Sequence, residues 1–262
     1  MRFNLKHQFK RILIKCKVWF FLRPVYENLK HLSPNYKKRR KIYQKKWRDF
    51  YSQFIKPGDL CFDVGANEGK RTEIFLKLGA KVIAVEPQPL CIKNLERVFG
   101  QEPNFKLVKQ GLSDKKGELE MFICEEADTI STFSKEYKVK GRFSHYNWNK
   151  KIKVPVTTLD AIIKEFGSPV FCKIDVEGFE DQVLMGLSQP IRYLSFEFLK
   201  EFPEKTKKCL DHLELLGYRY FNADFFEKGE LYFQYWMNGE KLLQKISESK
   251  NKLLGGDIYA KL

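Results

Sequence analysis

Acidic side chains recur at the ends of apolar runs in this sequence, and their spacing limits the chemistry it can support. Asp63 opens the stretch Asp63-Val64-Gly65-Ala66-Asn67-Glu68-Gly69, Glu86 follows 23 residues later, and Asp114 closes Gly111-Leu112-Ser113-Asp114. A carboxylate at the end of a second strand can accept hydrogen bonds from both ribose hydroxyls of a nucleoside. Asp114 could accept from an adenine amino group, or serve a simple turn before Lys115-Lys116-Gly117. The glycines allow a tight turn and a close approach of backbone to ligand. The stretch is not Gly-x-Gly-x-x-Gly: Asn67 stands at the second glycine position and the third glycine comes early. That argues against a pyrophosphate, which needs close backbone approach there. Three acids at three successive strand ends describe a nucleoside site without a phosphate site, with a plain strand–helix turn as the alternative for the loop alone.

A second group lies in Lys173-Ile174-Asp175-Val176-Glu177-Gly178. Two carboxylates beside a lysine at a buried strand end are costly unless paired or functional. They could form an ion pair with Lys173, remove a proton from an acceptor, or do both. Glu197, in Ser195-Phe196-Glu197-Phe198, ends the next strand and could face an acceptor pocket. His145, within Phe143-Ser144-His145-Tyr146-Asn147-Trp148, is a candidate base from a loop. The four histidines and six cysteines show no metal-ligand spacing. Asp175, Glu177 and Glu197 could supply an acid cluster, but no metal is expected. The cysteines form no Cys-x-x-Cys pair and mostly sit in apolar runs, as reduced core residues do.

These residues need a frame. Aromatic residues at helical spacing predict a helix over 37–55 that packs on the body, ended by Pro57-Gly58. Beyond it, strands at 59–64, 81–85, 105–112, 118–124, 170–174 and 192–198 alternate with helices at 70–78, 90–99, 159–166, 179–187 and 210–216. An edge strand is expected at 151–157 and a long loop at 125–150. Two final strands, 218–223 and 231–236, lie close enough to pair antiparallel around Lys228-Gly229. Such alternation predicts an α/β fold, a mostly parallel sheet with helices on both faces.

The chain has 262 residues and is 43% hydrophobic, enough for a sizeable core without staples. Its formal charge of +15 is uneven. Residues 1–50 hold 16 Lys and Arg against 2 Asp and Glu, a net +14, which leaves the remainder at +1. The expected organisation is therefore a basic, aromatic helical arm over 1–50 and an enzyme domain over 51–262. Val18-Trp19-Phe20-Phe21-Leu22 is too short to span a membrane and has no cleavage site after it. The arm fits contact with an anionic membrane surface, with its aromatic residues at the interface. Nucleic-acid binding through Lys37-Lys38-Arg39-Arg40-Lys41 is disfavoured, because the body carries no basic excess. A cytoplasmic protein is the expectation, with the arm either at the cytoplasmic face of the membrane or a solvated or self-packed extension.

The segments 62–69, Val85-Glu86-Pro87, Leu112-Ser113-Asp114, Thr158-Leu159-Asp160 and Lys173-Ile174-Asp175-Val176-Glu177-Gly178 occur in this order. Together they resemble the FkbM family of class I methyltransferases over roughly residues 57–237. The resemblance implies a Rossmann-like, seven-stranded sheet with a reversed last strand, S-adenosylmethionine as cofactor, and methylation of a hydroxyl oxygen of a sugar, glycan or secondary metabolite. It also implies that Asp63, Gly65, Asn67 and Gly69 hold the methionine part, Glu86 the ribose, and Ser113 and Asp114 the adenine. Methyl transfer to an alcohol needs alignment and a proton acceptor, so Asp175, Glu177 and Lys173 become the catalytic candidates, Asp175 foremost as base. An NAD-type oxidoreductase and a non-catalytic cofactor-binding module stay open as alternatives.

Overall fold

The computed structural model describes residues 33–124, 128–148 and 150–262. The arm up to residue 32, including the apolar stretch at 18–22, lies outside the described residues. Helix α1 (Pro34–Tyr51) begins the described chain, with proline at its first turn, where a missing N–H costs nothing. It crosses the 50/51 position, and its last turns bury Trp47, Phe50 and Tyr51. These rings, with Phe54, meet Phe75, Phe171 and Tyr259. Tyr51 lies 4.9 Å from Phe75 edge-on, and Phe54 stacks 5.5 Å from Tyr259. Such pairs add roughly 0.5–1.5 kcal/mol each beyond their buried area. The helix is therefore part of the core.

The body alternates strand and helix: β1 (Leu60–Val64), α2 (Lys70–Lys77), β2 (Lys81–Val85), α3 (Pro89–Phe99) and β3 (Phe105–Val108). Then come β4 (Gly111–Leu112), β5 (Gly117–Ile123), α4 (Lys135–Val139) and β6 (Lys150–Thr157). The chain continues through α5 (Leu159–Phe166), β7 (Phe171–Ile174), α6 (Glu180–Met185), β8 (Tyr193–Leu199) and α7 (Pro203–Leu215). It ends with β9 (Tyr220–Phe225), α8 (Gly239–Glu248) and β10 (Gly255–Lys261).

Seven strands form the main sheet in the order β3-β2-β1-β7-β8-β10-β9. β10 runs antiparallel to both its neighbours, and the other pairings are parallel. This is the Rossmann-like sheet with a reversed last strand. The strand order turns around between β1 and β7, where ligands bind beyond the carboxyl ends of strands in such folds. Those ends are aligned: Val64 pairs with Val85 and with Ile174, and Val85 pairs with Val108.

The structure corrects three local expectations. The reversed strand is 255–261, and 231–236 is not a strand. The side chain of Asn222 bonds to the backbone of Phe233, and Tyr232 N–H reaches Ala223 C=O, so 231–236 runs irregularly beside β9. Residues 105–112 split into β3 and β4, which belong to different sheets. Strand β6 is no edge, since it is the middle of a three-stranded sheet between β4 and β5. Its Pro155 is tolerated because β4 reaches only Val156 and Thr157. Within 125–150, two short 3-10 turns and α4 add local structure, and α4 buries Tyr137.

Candidate active site

A cavity of about 220 Å³ opens at the carboxyl ends of β1, β2 and β7. The turn after β1 forms its floor. Gly65 has φ +80, and a Cβ there would stand 1.8 Å from the carbonyl oxygen of Asp175. Only glycine lets the β1 and β7 turns come together. Asn67 also adopts a left-handed conformation, at φ 50, which asparagine tolerates better than most residues. Gly69, at φ +79, starts α2 where any Cβ would strike Phe99 and Leu95. Asp63 is buried at the end of β1 and accepts from Thr72 Oγ1 at 2.5 Å. Burial raises its pKa, against the pull of that hydrogen bond.

Glu86 lies against the same turn. Its Oε2 accepts from Asn67 N–H at 2.7 Å and its Oε1 from Gln88 N–H at 2.8 Å. These two bonds orient the carboxylate at the cavity wall. The wall continues through Gln110, Gly111 and Leu112 and ends there. Ser113 and Asp114 do not line it: Ser113 is buried with Oγ on Asp114 Oδ1 at 3.0 Å, and Asp114 is exposed.

The β7 end carries the charges. Lys173 is 1% exposed, and its Nζ sits 2.9 Å from Asp175 Oδ2 and 3.2 Å from Asp257 Oδ1. Burial alone would lower the lysine pKa, but these two carboxylates more than reverse it and hold it well above the ordinary value. The ammonium is thus fixed and charged. Asp175 and Glu177 both reach the cavity wall. Glu177 stands at φ 57, pinned by Thr132 Oγ1 on its carbonyl at 2.6 Å and by Tyr137 O–H on Oε2 at 2.5 Å. Tyr137 also fills the space above Gly178, where a Cβ would fall 2.4 Å from its ring. Glu180 closes the turn, accepting from Val176 and Gly178 N–H at 2.9 and 3.2 Å, and burial pushes its pKa up to about 7.

Glu197 comes to the same place from β8. Carboxylate oxygens of Asp175, Glu177 and Glu197 lie within 4.8 Å of one another. Burial, and then the neighbouring carboxylates, hold Glu177 and Glu197 well above the usual carboxylate range. His145 is exposed beside Tyr146 and does not line the cavity. Several wall residues carried no motif in the sequence. Tyr43 comes from α1, Arg71 from α2, Glu227 from the loop after β9, and Ser131 and Phe133 from the segment before α4.

The family model described as Methyltransferase FkbM domain matches residues 63–220, more than half the chain. The chain belongs to the FkbM methyltransferase family. Among curated proteins it is similar to the 2-O-methyltransferase NoeI of Sinorhizobium fredii, 26% identical over 149 residues. That match covers 53% of this chain and 61% of the relative, so the chain spans less than two thirds of that relative's length. Among solved structures it resembles the methyltransferase FkbM from Methylobacillus flagellatus, with 12% identity and a TM-score of 0.44 over 82% of this chain and 50% of that one. It also resembles Aeropyrum pernix fibrillarin with natively bound S-adenosyl-L-methionine, at 9% identity and a TM-score of 0.44, over 79% of this chain and 68% of that one. The Thr158-Leu159-Asp160 motif of this chain has a local structural part: Thr158 Oγ1 caps α5 through Ala161 N–H, and Asp160 Oδ1 accepts from Ser188 N–H.

Proposed function

We propose that this FkbM methyltransferase uses S-adenosylmethionine and methylates a hydroxyl oxygen on a sugar, glycan or secondary metabolite. The observation that carries the reading is the arrangement at the β1 and β2 ends: Gly65 packed on Asp175, with Glu86 held facing the Asn67 turn. A glycine floor and an oriented carboxylate suit a nucleoside, and no glycine stands at the position a pyrophosphate would require. The cofactor supplies a methyl group on a sulfonium for in-line displacement. Asp63, Gly65, Asn67 and Gly69 would form the floor beneath its methionine part, and Glu86 would accept from its ribose. Gln110 and Leu112, which line the cavity where Ser113 and Asp114 do not, would take the adenine. Similarity to a 2-O-methyltransferase of Sinorhizobium fredii supports oxygen as the atom methylated.

At the other end, Asp175 takes the proton of the acceptor hydroxyl. Its Oδ2 is held by Lys173, and its Oδ1 has no hydrogen-bond partner among the described residues. Lys173 fixes the carboxylate and, being buried and charged, keeps negative charge at the β7 end favourable. Glu177, held by Tyr137, borders the same point and orients the acceptor, while Glu197 stays off the cavity wall but close to both carboxylates. Proton removal by a positioned group contributes about 10²–10⁴-fold.

The exposed cations of α1 fit contact with an anionic membrane surface. Among the described residues no helix is long and apolar enough to cross one. Failure to co-sediment with anionic vesicles at low salt would remove that contact.

Calorimetry with S-adenosylmethionine, its demethylated product and NAD tests the cofactor. Binding of the first two and not of NAD is expected, and binding of NAD alone would overturn the reading. Transfer of a labelled methyl group into glycan-rich extract, in a form that resists mild base as a methyl ether does and a carboxyl methyl ester does not, tests the oxygen acceptor.

A further inference from the structure

Arg71 is an unusual residue on the cavity wall. It is 7% exposed, and its guanidinium lies 3.5 Å above the Trp47 ring. Nη1 donates to the Tyr43 hydroxyl at 2.5 Å and Nη2 to Glu227 Oε2 at 2.7 Å. Its buried Nε–H has no partner. A buried donor left unpaired is costly, and a guanidinium clamped on two sides cannot turn to solvent. The other half of the ion pair is differently placed. The Glu227 side chain is 47% exposed against 8% for Arg71, and it engages a single oxygen. It also sits at φ 50 after Phe226 at φ 64, two successive non-glycine residues in a sparsely populated region. Asp224 holds that loop by accepting from Lys228 and Gly229 N–H at 2.7 and 2.6 Å.

We propose that Arg71, framed by Tyr43 and Trp47 of α1, is the subsite for the α-carboxylate of an amino-acid head group, and that Glu227 holds that place until such a ligand enters. The proposal rests on the cofactor reading above and names the part of the cofactor that α1 helps to bind. The chemistry of the surroundings selects the ligand. The Nε and Nη2 edge of an arginine matches a carboxylate with two parallel hydrogen bonds. Lys173, the neighbouring buried cation, is already divided between Asp175 and Asp257. Asp63, Glu68 and Asp175 on the same wall disfavour a doubly charged phosphate and would welcome an ammonium group. A zwitterionic amino acid answers both demands. Helix α1 then serves the cofactor site directly, through Tyr43 and Trp47.

Binding of S-adenosylhomocysteine and of 5′-methylthioadenosine, which lacks the amino-acid head, separates this subsite from the rest of the cavity. Calorimetry on the full chain should show Arg71→Gln and Arg71→Lys weakening S-adenosylhomocysteine by about tenfold or more, with 5′-methylthioadenosine unchanged. Glu227→Gln should tighten S-adenosylhomocysteine alone, and this variant at a half-exposed side chain carries the test if the Arg71 variants fail to fold. Equal weakening of both ligands by the Arg71 variants, or no weakening, overturns the subsite. No change on Glu227→Gln overturns the place-holding. A wild-type chain that binds neither nucleoside overturns the cofactor reading and this subsite with it, whereas a wild type that binds both ligands with equal strength overturns the subsite alone.

Discussion

Lys173 and Asp257 are 84 residues apart in the chain, and their charged atoms are 3.2 Å apart in the fold. The contact joins β7, the strand that leads to Asp175 and Glu177, to the reversed strand β10. Both side chains are almost completely buried, so neither charge can be met by water if the other is lost. Asp257 already leaves Oδ2 without a partner, which makes Lys173 its main compensation. Replacing Lys173 by Met should destabilise the protein by about 3–5 kcal/mol, the cost of stranding a buried charge. Adding Asp257→Asn should recover part of that loss. Urea unfolding of the two single variants and the double variant checks this. Additive losses would mean the pair is not coupled.

Glu197 gives a pH-dependent signature. Burial and the carboxylates of Glu177 and Asp175 raise its folded pKa well above the ordinary value. An unfolded glutamate loses its proton near pH 4.3, so above that pH the unfolded state sheds a proton that the folded state retains. Stability must fall as pH rises from there to the folded pKa, and stay lower beyond it. Glu197→Gln removes this penalty. Its melting temperature should exceed that of the wild type at pH 7, and the difference should close toward about pH 4. A difference independent of pH would assign Glu197 a purely steric part.

The strands that carry the motifs were legible because each is a short, mostly apolar run followed at once by a glycine or an acid, Gly65 after Leu60–Val64 and Asp175 after Phe171–Ile174. Strand β10 was hidden. It opens with Gly255-Gly256 and carries Asp257 in its interior, both poor strand signals. Leu231 and Phe233, partly buried and alternating with exposed Tyr232, gave 231–236 a strand-like look, although the segment meets β9 only through irregular bonds such as Tyr232 N–H to Ala223 C=O. At the site, residues within motifs were readable, and partners from distant segments were not. Arg71 reads as an ordinary helix cation until Trp47 and Tyr43 are placed beside it. Tyr137 lay in a polar stretch without periodicity, and only the fold shows its hydroxyl on Glu177. Asp257 was invisible as a partner for Lys173 because nothing local in sequence marks a contact made across so long a loop.

Tyr137 reaches the site through its hydrogen bond to Glu177 and does not itself line the cavity. Its hydroxyl hydrogen bond draws the Glu177 pKa down, against the larger effect of burial and of Asp175. Removing it with Tyr137→Phe should let that pKa climb further. If Glu177 must ionise for turnover, the acidic limb of the rate profile moves to higher pH while cofactor affinity stays near wild type. A uniform fall in rate at every pH would leave Tyr137 as packing over Gly178 and nothing more.

Asp175 is the sharpest test of the chemistry. Its main-chain carbonyl packs against Gly65, while its side chain lines the cavity, where the proposed reading makes it the base. Asp175→Asn keeps the size and the backbone and removes the base. Turnover should drop by about 10²–10⁴-fold, with S-adenosylhomocysteine binding within a few-fold of wild type. Lys173 retains Asp257 in this variant, so the fold should survive with a modest loss of stability. If turnover persists in Asp175→Asn and collapses in Glu177→Gln, the base is Glu177, and the salt bridge from Lys173 to Asp175 only shapes the β7 end. Loss of cofactor binding in Asp175→Asn would instead place its carboxylate at the sulfonium end, where it would orient the methyl donor.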